Sequence, residues 1–131
     1  MKIIITVILF VFSFKAASQN NDSIRNEKPI LNLDKIDTHP SFPGGPGKMY
    51  KFINENLKIP SDAPKTERKI FVRFVVEIDG TLSNIELYKK DIDPIISNEI
   101  IRVLKLSPNW NAGKLNGEKI RVLYGMPINI Y

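Results

Sequence analysis

The chain has 131 residues, of which 43% are hydrophobic, and a formal net charge of +5 at pH 7. This length allows one ordinary domain with short appendages, and the apolar share is too low for a multi-pass membrane protein. There is no cysteine, which excludes disulfides, thiolate metal sites, cysteine nucleophiles and a lipid-bearing cysteine.

The first 18 residues have the pattern of a secretory signal peptide. A lysine near the start is followed by the apolar run 3–12, and small residues precede Gln19. Lys15 ends the run short of the roughly 20 apolar residues that a membrane-spanning helix needs. We therefore expect export with cleavage between Ser18 and Gln19. The remaining net charge of +3 is that of an ordinary solvated surface, so no nucleic-acid partner is expected.

The segment that follows is polar. Residues 19–29 contain one large apolar side chain and are predicted to form a disordered leader. Apolar residues from Ile30 to Ile36 then predict a short strand that stops before Pro40. The folded domain is therefore expected to span residues 30–131.

The stretch PSFPGGPGK at 40–48 looks at first like a phosphate-binding loop. Such a loop has the pattern Gly-x-x-x-x-Gly-Lys-Ser/Thr. Here Phe42 stands at the first glycine position and Met49 at the hydroxyl position, and two prolines remove backbone donors. We therefore predict a structural corner, built on Phe42, Pro43, Gly44 and Gly45.

A helix and a β-hairpin are predicted next. The helix begins near Pro46, ends before Pro60 and has an apolar stripe made of Met49, Phe52, Ile53 and Leu57. The strand 69–78 alternates apolar residues from Ile70 onward. Asp79 and Gly80 predict the hairpin turn, because this turn needs positive φ. Leu82 is out of phase in the return strand, which predicts a β-bulge there.

The C-terminal third predicts a second helix and a last strand. Asp93 caps the helix and Pro94 takes its first position. Its buried stripe is Ile96, Ile100, Val103 and Leu104. A long turn is predicted over 109–119, with Trp110 as a core anchor. The last strand places alternate residues on one face, namely Ile120, Val122, Tyr124, Met126, Ile128 and Ile130.

These elements predict an α+β domain, in which a small antiparallel sheet of about three strands packs against two helices, plus an N-terminal signal helix. Pro127 places the last strand at an edge or at a bulge, since proline cannot donate to a ladder. Gly125 indicates a bulge at that point.

Nothing in the sequence combines a nucleophile, a base and oxyanion donors, so the chain is predicted not to be an enzyme. His39 is the only histidine, and a turn or surface role is expected because it precedes a proline. Asp91 and Asp93 are better explained as helix N-terminal charges than as a catalytic pair. We expect no catalytic residue, no metal ligand and no cofactor.

The open edge of so small a sheet is the remaining candidate site. An open edge can accept a foreign strand through main-chain hydrogen bonds. The stretch before Gly125 and Pro127 is predicted to do so, and comprises Glu118, Lys119, Ile120, Arg121, Val122, Leu123 and Tyr124. Pairing of this edge with a second copy, to form a homodimer, is an equally good interpretation.

Six pieces of the sequence, in order, resemble the C-terminal domain of TonB in the version common in Bacteroidetes, over residues 30–131. They are PSFPGG at 40–45, LKIP at 57–60, VRFVVEIDGTLSNIEL at 72–87, LSPNW at 106–110, AGKLNGEKIRV at 112–122 and MPINIY at 126–131.

The resemblance implies a periplasmic domain that grips a TonB box, a short extended segment of an outer-membrane TonB-dependent receptor. The box would add as a strand beside residues 118–124, with Ile59, Pro60 and Ala63 near the docked receptor. A complete TonB also has a persistent anchor and a proline-rich spacer, whereas this leader is short and polar. The alternatives are a self-associating periplasmic module, or an energy transducer anchored in the inner membrane by residues 3–14 and acting with its proton-driven motor.

Overall fold

The computed structural model describes residues 28–63, 69–88 and 91–130. The predicted signal segment, its cleavage site at Ser18 and Gln19, and nearly all of the leader lie outside the described residues. No helix among the described residues is long and apolar enough to cross a membrane.

Two helices and five strands make up the described domain. In chain order they are β1 (Ile30–Leu31), α1 (Pro46–Asn56), β2 (Lys69–Val76), β3 (Leu82–Leu87), α2 (Pro94–Lys105), β4 (Gly113–Leu115) and β5 (Glu118–Asn129). A single turn of 3-10 helix, Leu33–Lys35, follows β1, where the sequence predicted a continuing strand.

The sheet is larger than predicted and is mixed. Its strand order is β1-β5-β2-β3, and β4 pairs with the start of β5. The β2, β3 and β4 pairings are antiparallel, while β1 runs parallel to β5. The predicted α+β class with two helices is confirmed. The prediction of about three antiparallel strands is wrong, because the predicted short strand at Ile30 joins the sheet in parallel and the three-residue strand β4 was not predicted.

The core lies between the helices and the inner face of the sheet. The inward residues of β2 are at most 1% exposed, as their alternation predicted. They pack against the stripes of both helices. Those buried helix residues are Met49, Ile53, Ile96, Ile100, Val103 and Leu104. Burying so much aliphatic surface supplies the main stabilisation of the fold, at about 25 cal/mol per Å².

Trp110 is the aromatic centre of this core, which confirms its predicted role as an anchor. It is 5% exposed, and its ring meets three others edge-on: Phe42 at 5.9 Å, Phe74 at 5.5 Å and Tyr124 at 5.2 Å between centroids. Its indole N–H donates to Ser107 Oγ at 3.0 Å. One side chain thus joins the corner before α1, the centre of β2 and the centre of β5.

The glycine-rich stretch forms the predicted corner. Gly44 and Gly45 have φ of 88° and 95°, a backbone region that side chains disfavour. Gly45 N–H donates to the carbonyl of Phe42 at 2.8 Å, which closes the turn, and Ser41 pairs with Asn111 in both directions. The corner starts α1, whose first residue is the predicted Pro46.

The predicted caps and the bulge are also present. Asp93 accepts from Ile95 N–H at 2.9 Å and so caps α2. In β3 the pairing with β2 shifts between the pairs made by Arg73 and Val75, and Asn84 there has a φ of 48°. This bulge brings Leu82 back to the core side, where it packs with the core.

Strand β4 lies within the region predicted to be a long turn. It forms a hairpin with β5 through Asn116 and Gly117, whose φ values are 53° and 81°. An Asn-Gly pair is a strong hairpin signal because both residues tolerate positive φ. This dipeptide was the signal that could have revealed β4.

Two glycines in hairpin turns should respond very differently to alanine. Gly80 (φ 86°) lies so close to Trp110 that an added Cβ would overlap its carbonyl oxygen, whereas Gly117 (φ 81°) has nothing within 4 Å. We expect Gly117→Ala to cost about 1 kcal/mol of unfolding free energy through backbone strain. Gly80→Ala should cost about 3 kcal/mol or more, because overpacking adds to that strain.

Urea denaturation followed by Trp110 fluorescence measures the loss of unfolding free energy in both variants. Equal losses in the two variants would contradict this account of the Gly80 contact.

Candidate functional site

Strand β5 has one edge fully used by β2. Eight successive pairs join the two strands, from Lys69 opposite Asn129 to Val76 opposite Val122, with no shift of register. The ladder passes through Gly125 without interruption, so the predicted bulge at that residue is wrong. Pro127 also lies within the ladder.

Backbone orientation shows how a proline fits there. The carbonyl of Phe71 accepts from Tyr88 N–H at 2.9 Å, so the backbone of Phe71 faces β3. Phe71 is opposite Pro127, and two directly opposed residues either both bond to each other or both face away. The backbone of Pro127 therefore faces away from β2. Its missing N–H is not needed by the ladder, as expected for proline at an edge.

The same alternation shows which edge of β5 the backbone of each other residue faces. Successive residues of a strand direct their N–H and C=O groups to opposite edges. Arg121, Leu123, Gly125 and Asn129 therefore share the orientation of Pro127 and face the second edge, opposite β2.

Part of this second edge is occupied by β1. Ile30 lies opposite Arg121 and Leu31 opposite Val122, in parallel. On the β2 side, β4 pairs with Glu118, Lys119 and Ile120. The prediction of an open edge over residues 118–124 is therefore wrong for Arg121 and Val122, which pair with β1 on this second edge. Residues 118–120 pair with β4 on the β2 side. A strand at Ile30 was predicted but its pairing with β5 was not, and β4 was not predicted.

The open part of the edge begins after Leu123. Among the described residues, no strand pairs with β5 there on the side opposite β2. Gly125 presents both an N–H and a C=O, and Pro127 presents only its C=O. The stretch predicted to be the poorer docking surface is thus the one with a free edge.

An ionic network holds the start of β1 against β5. The Arg121 guanidinium donates to Glu77 Oε1 at 2.7 Å and to the carbonyl of Lys28 at 2.8 Å. Ser83 Oγ donates to the same carboxylate at 2.5 Å. Partial burial raises the pKa of Glu77, but the hydrogen bonds from Arg121 and Ser83 outweigh it, and the pKa is lowered overall. Glu77 therefore stays ionised and keeps Arg121 in place.

The outer face of the sheet, away from the helices, carries a groove of about 350 Å³ beside this edge. Its floor is Val75, which is 1% exposed although it points away from the core. Ile30 of β1 and Leu123 of β5 form one wall. The residues lining it are Ile30, Asn32, Arg73, Val75, Asn84, Glu86 and Leu123. The groove thus offers an apolar floor next to the backbone edge.

An exposed aromatic pair continues this face beyond the groove. Phe71 and Tyr88 are 46% and 48% exposed, with centroids 5.8 Å apart. Arg73 lies over the Tyr88 ring at 4.8 Å and bonds to Glu86 at 2.6 Å. A Cβ on Gly125 would lie 2.9 Å from the Phe71 ring. Gly125 thus leaves room for Phe71 directly beside the open edge.

The segment after α1 is fixed elsewhere, on the helix side of the sheet. Lys58 N–H donates to Glu99 Oε1 at 2.7 Å, and Arg102 donates to the carbonyl of Asn56 at 2.7 Å. The predicted receptor-contacting residues Ile59 and Ala63 point into the core: Ile59 is partly buried and Ala63 is 4% exposed, while Pro60 is exposed. The predicted partner-binding residues are therefore split between the segment after α1 and strand β5.

Comparison with protein-family models found no match for this chain, and comparison with curated proteins also found none. In the described ranges no three His, Cys, Asp or Glu side chains come together as a metal site would require. His39 and Asp91 are exposed, and Asp93 is used as a cap. The candidate functional site in the described ranges is therefore the edge of β5 with its surroundings.

Hydrogen exchange should show the alternation along β5. Tyr124 and Met126 N–H groups face β2 and should be protected, whereas Gly125 N–H faces the open edge. We expect the protection factor of Gly125 to be lower by about 100-fold or more, since only its neighbours need global opening to exchange. Similar protection of all three amides, measured by NMR, would contradict the assignment of edges.

Acid should weaken the attachment between α2 and the segment after α1. Hydrogen bonds from Arg102 lower the pKa of Glu99 from 4.5 to about 2. A carboxyl group with a lowered folded-state pKa stabilises the fold above its unfolded pKa, and the stabilisation is lost as pH falls through the folded value. Stability should therefore fall between pH 4.5 and about 2.

Urea denaturation across this window tests that expectation. Glu99→Gln should be less stable than the wild type at pH 7 and should lose less on acidification. Glu55→Gln is the matched control, because Glu55 is 62% exposed in a 4.0 Å pair with Lys51. If Glu99→Gln follows the wild-type profile, the predicted role of Glu99 is wrong.

Proposed function

We propose that this chain is a periplasmic protein-interaction domain of the TonB family type, which binds an extended segment of an outer-membrane receptor by strand addition. It acts in TonB-dependent transport and has no enzymatic activity of its own. The observation that carries the proposal is the open edge of β5 beyond Leu123, which lies beside a groove with an apolar floor and beside an exposed aromatic pair.

Strand addition uses chemistry that this edge provides. Main-chain hydrogen bonds supply affinity that is independent of sequence, and alternate side chains supply specificity. On the outer face, an incoming side chain would lie near the Val75 groove or against the ring of Phe71. The floor of the groove and the Phe71 ring are apolar, so the proposed partner is an extended segment with apolar residues at alternate positions.

The architecture supports the family resemblance. The three longest strands, β2, β3 and β5, form an antiparallel sheet covered by two helices, as the resemblance implies. The quoted PSFPGG piece forms the corner before α1, and the LSPNW piece places Trp110 in the core. These pieces therefore have structural roles in this chain, while the receptor-binding role belongs to the edge.

Self-association is the second candidate function. The same edge, with Phe71 and Tyr88 exposed beside it, is self-complementary for antiparallel pairing of two copies around a twofold axis. Sedimentation distinguishes the two functions, because a tight dimer without affinity for receptor segments would favour self-association. The anchored-transducer alternative depends on residues 3–14. Mass spectrometry of the native N-terminus tests it, since a start at Gln19 excludes an anchor.

A proline at Gly125 should block the proposed docking. The backbone of Gly125 faces the open edge, so Gly125→Pro removes a donor there and leaves the β2 ladder unchanged, as Pro127 does naturally. Gly125→Ala is the matched control, because it adds the same Cβ beside the Phe71 ring and keeps the donor. We expect Gly125→Pro to bind receptor N-terminal peptides about tenfold or more weakly than Gly125→Ala, as for loss of a main-chain hydrogen bond in a dry interface.

Isothermal titration of both variants with synthetic peptides covering receptor N-terminal extensions measures this difference. Circular dichroism confirms that both variants are folded. Equal affinity of the two variants would sink the proposal that β5 is the docking strand.

A further inference from the structure

We infer that β1 is a placeholder strand, which occupies part of the docking edge of β5 and must leave before a foreign strand can bind fully. The inference rests on the proposed function for the identity of the displacing strand. The occupation itself is visible in the structure, because Ile30 and Leu31 pair with β5 at Arg121 and Val122.

The open part of the edge offers a foreign strand an interrupted set of partners. Beyond Leu123, the backbones of Gly125 and Asn129 each present an N–H and a C=O, but Pro127 between them can only accept. Strands in globular proteins usually have about five or six residues. A foreign strand of that length that pairs without the interruption therefore has to extend from Gly125 toward Leu123 and Arg121, the two residues whose backbone faces β1.

Strand β1 is built to be displaced. It has two residues, and parallel pairing is the weaker kind per residue. Ile30 is 40% exposed and Leu31 is half-buried, so departure of β1 exposes less apolar surface than loss of a core strand would. Arg121 donates a hydrogen bond to the carbonyl of Lys28. After β1 has left, the ion pair with Glu77 would keep Arg121 in position.

The exchange also opens the groove. Ile30 forms part of the groove wall above Val75, together with Asn32. A foreign strand in the position of β1 would place its own side chain there, in the same parallel direction. The placeholder therefore sets a threshold: a segment binds only if its side chains fill the groove better than Ile30 does.

Leu31→Pro tests the inference directly. By the alternation along β5, the N–H of Leu31 faces β5 and that of Asn32 faces away, so proline at Leu31 removes a bond to β5. Asn32→Pro is the matched control, because Asn32 has a φ of −84°, close to the value that proline adopts. The probe is a synthetic peptide with the sequence NEKPILNL, residues 26–33, added to the whole chain.

We expect the peptide to bind Leu31→Pro more tightly than it binds the wild type, as judged by NMR shifts of the Leu123 amide. If β1 is docked about nine-tenths of the time, the gain is about tenfold. Asn32→Pro should bind like the wild type. Equal affinity of Leu31→Pro and the wild type would overturn the placeholder.

A disulfide lock provides a test that does not depend on the folding of Leu31→Pro. The chain has no cysteine, and Ile30 lies directly opposite Arg121. In Ile30→Cys/Arg121→Cys the oxidised form should bind the probe more weakly than the reduced form. Identical binding by the two forms would likewise overturn the inference.

Receptor N-terminal peptides, titrated in parallel, separate this inference from the proposed function. If Leu31→Pro gains affinity for NEKPILNL and no receptor peptide binds any variant, β1 is a placeholder and the proposed receptor function fails. If receptor peptides bind the wild type and Leu31→Pro equally well, strand addition stands and the placeholder fails.

Discussion

The fold depends on the fact that the backbone of β5 can bond on two sides. Its residues alternate, so one set of amides and carbonyls joins β2 and β4, and the other set faces β1 or is open. Pro127 is compatible with this arrangement because its missing donor falls in the second set. Only the first set is needed to join β5 to the strands that carry the core, β2 above all. The second set is therefore the part of the strand that binding can use without disturbing the fold.

Trp110 gives this strand a rigid support. Its ring contacts Tyr124 in β5 and Phe74 in β2, and its backbone N–H donates to the carbonyl of Gly80 at 2.8 Å. The hairpin turn, the corner before α1 and the last strand are thereby held by one residue. A rigid edge lowers the total entropy cost of docking, because only the peptide and not the edge has to become ordered.

Stability is unevenly distributed between the two edges. The β2 edge has an eight-pair ladder over a buried core, whereas the β1 edge has two pairs and partly exposed side chains. Segments that move during binding are commonly drawn from such weakly held parts. If a foreign strand replaced β1, the main-chain hydrogen bonds that β5 loses and gains would be of the same kind. The net free energy of that exchange would then depend on side chains, chiefly those over Val75 and Phe71.

Much of this could be predicted from the sequence, because it follows from local rules. Periodicity identified both helices and the strands β2 and β5, and positive-φ and capping residues identified the turn at Gly80 and the cap at Asp93. Trp110 was correctly expected in the core. These features depend on neighbours within a few residues. Two of the wrong predictions, a bulge at Gly125 and an open edge at Arg121 and Val122, concerned pairing between distant segments.

Which edge of β5 is free was decided by tertiary structure alone. Strand β1 pairs with residues about 90 positions away, and the apolar pattern that predicted a strand there does not show which strand it pairs with. The orientation of each backbone group also depends on the register with β2, which a one-residue shift would reverse. The sequence by itself determined that this chain folds as an α+β domain with two amphipathic helices and a long last strand. Only the register and the short strand β1 determined where the second edge of β5 is open, because main-chain hydrogen bonds depend on position and not on residue type.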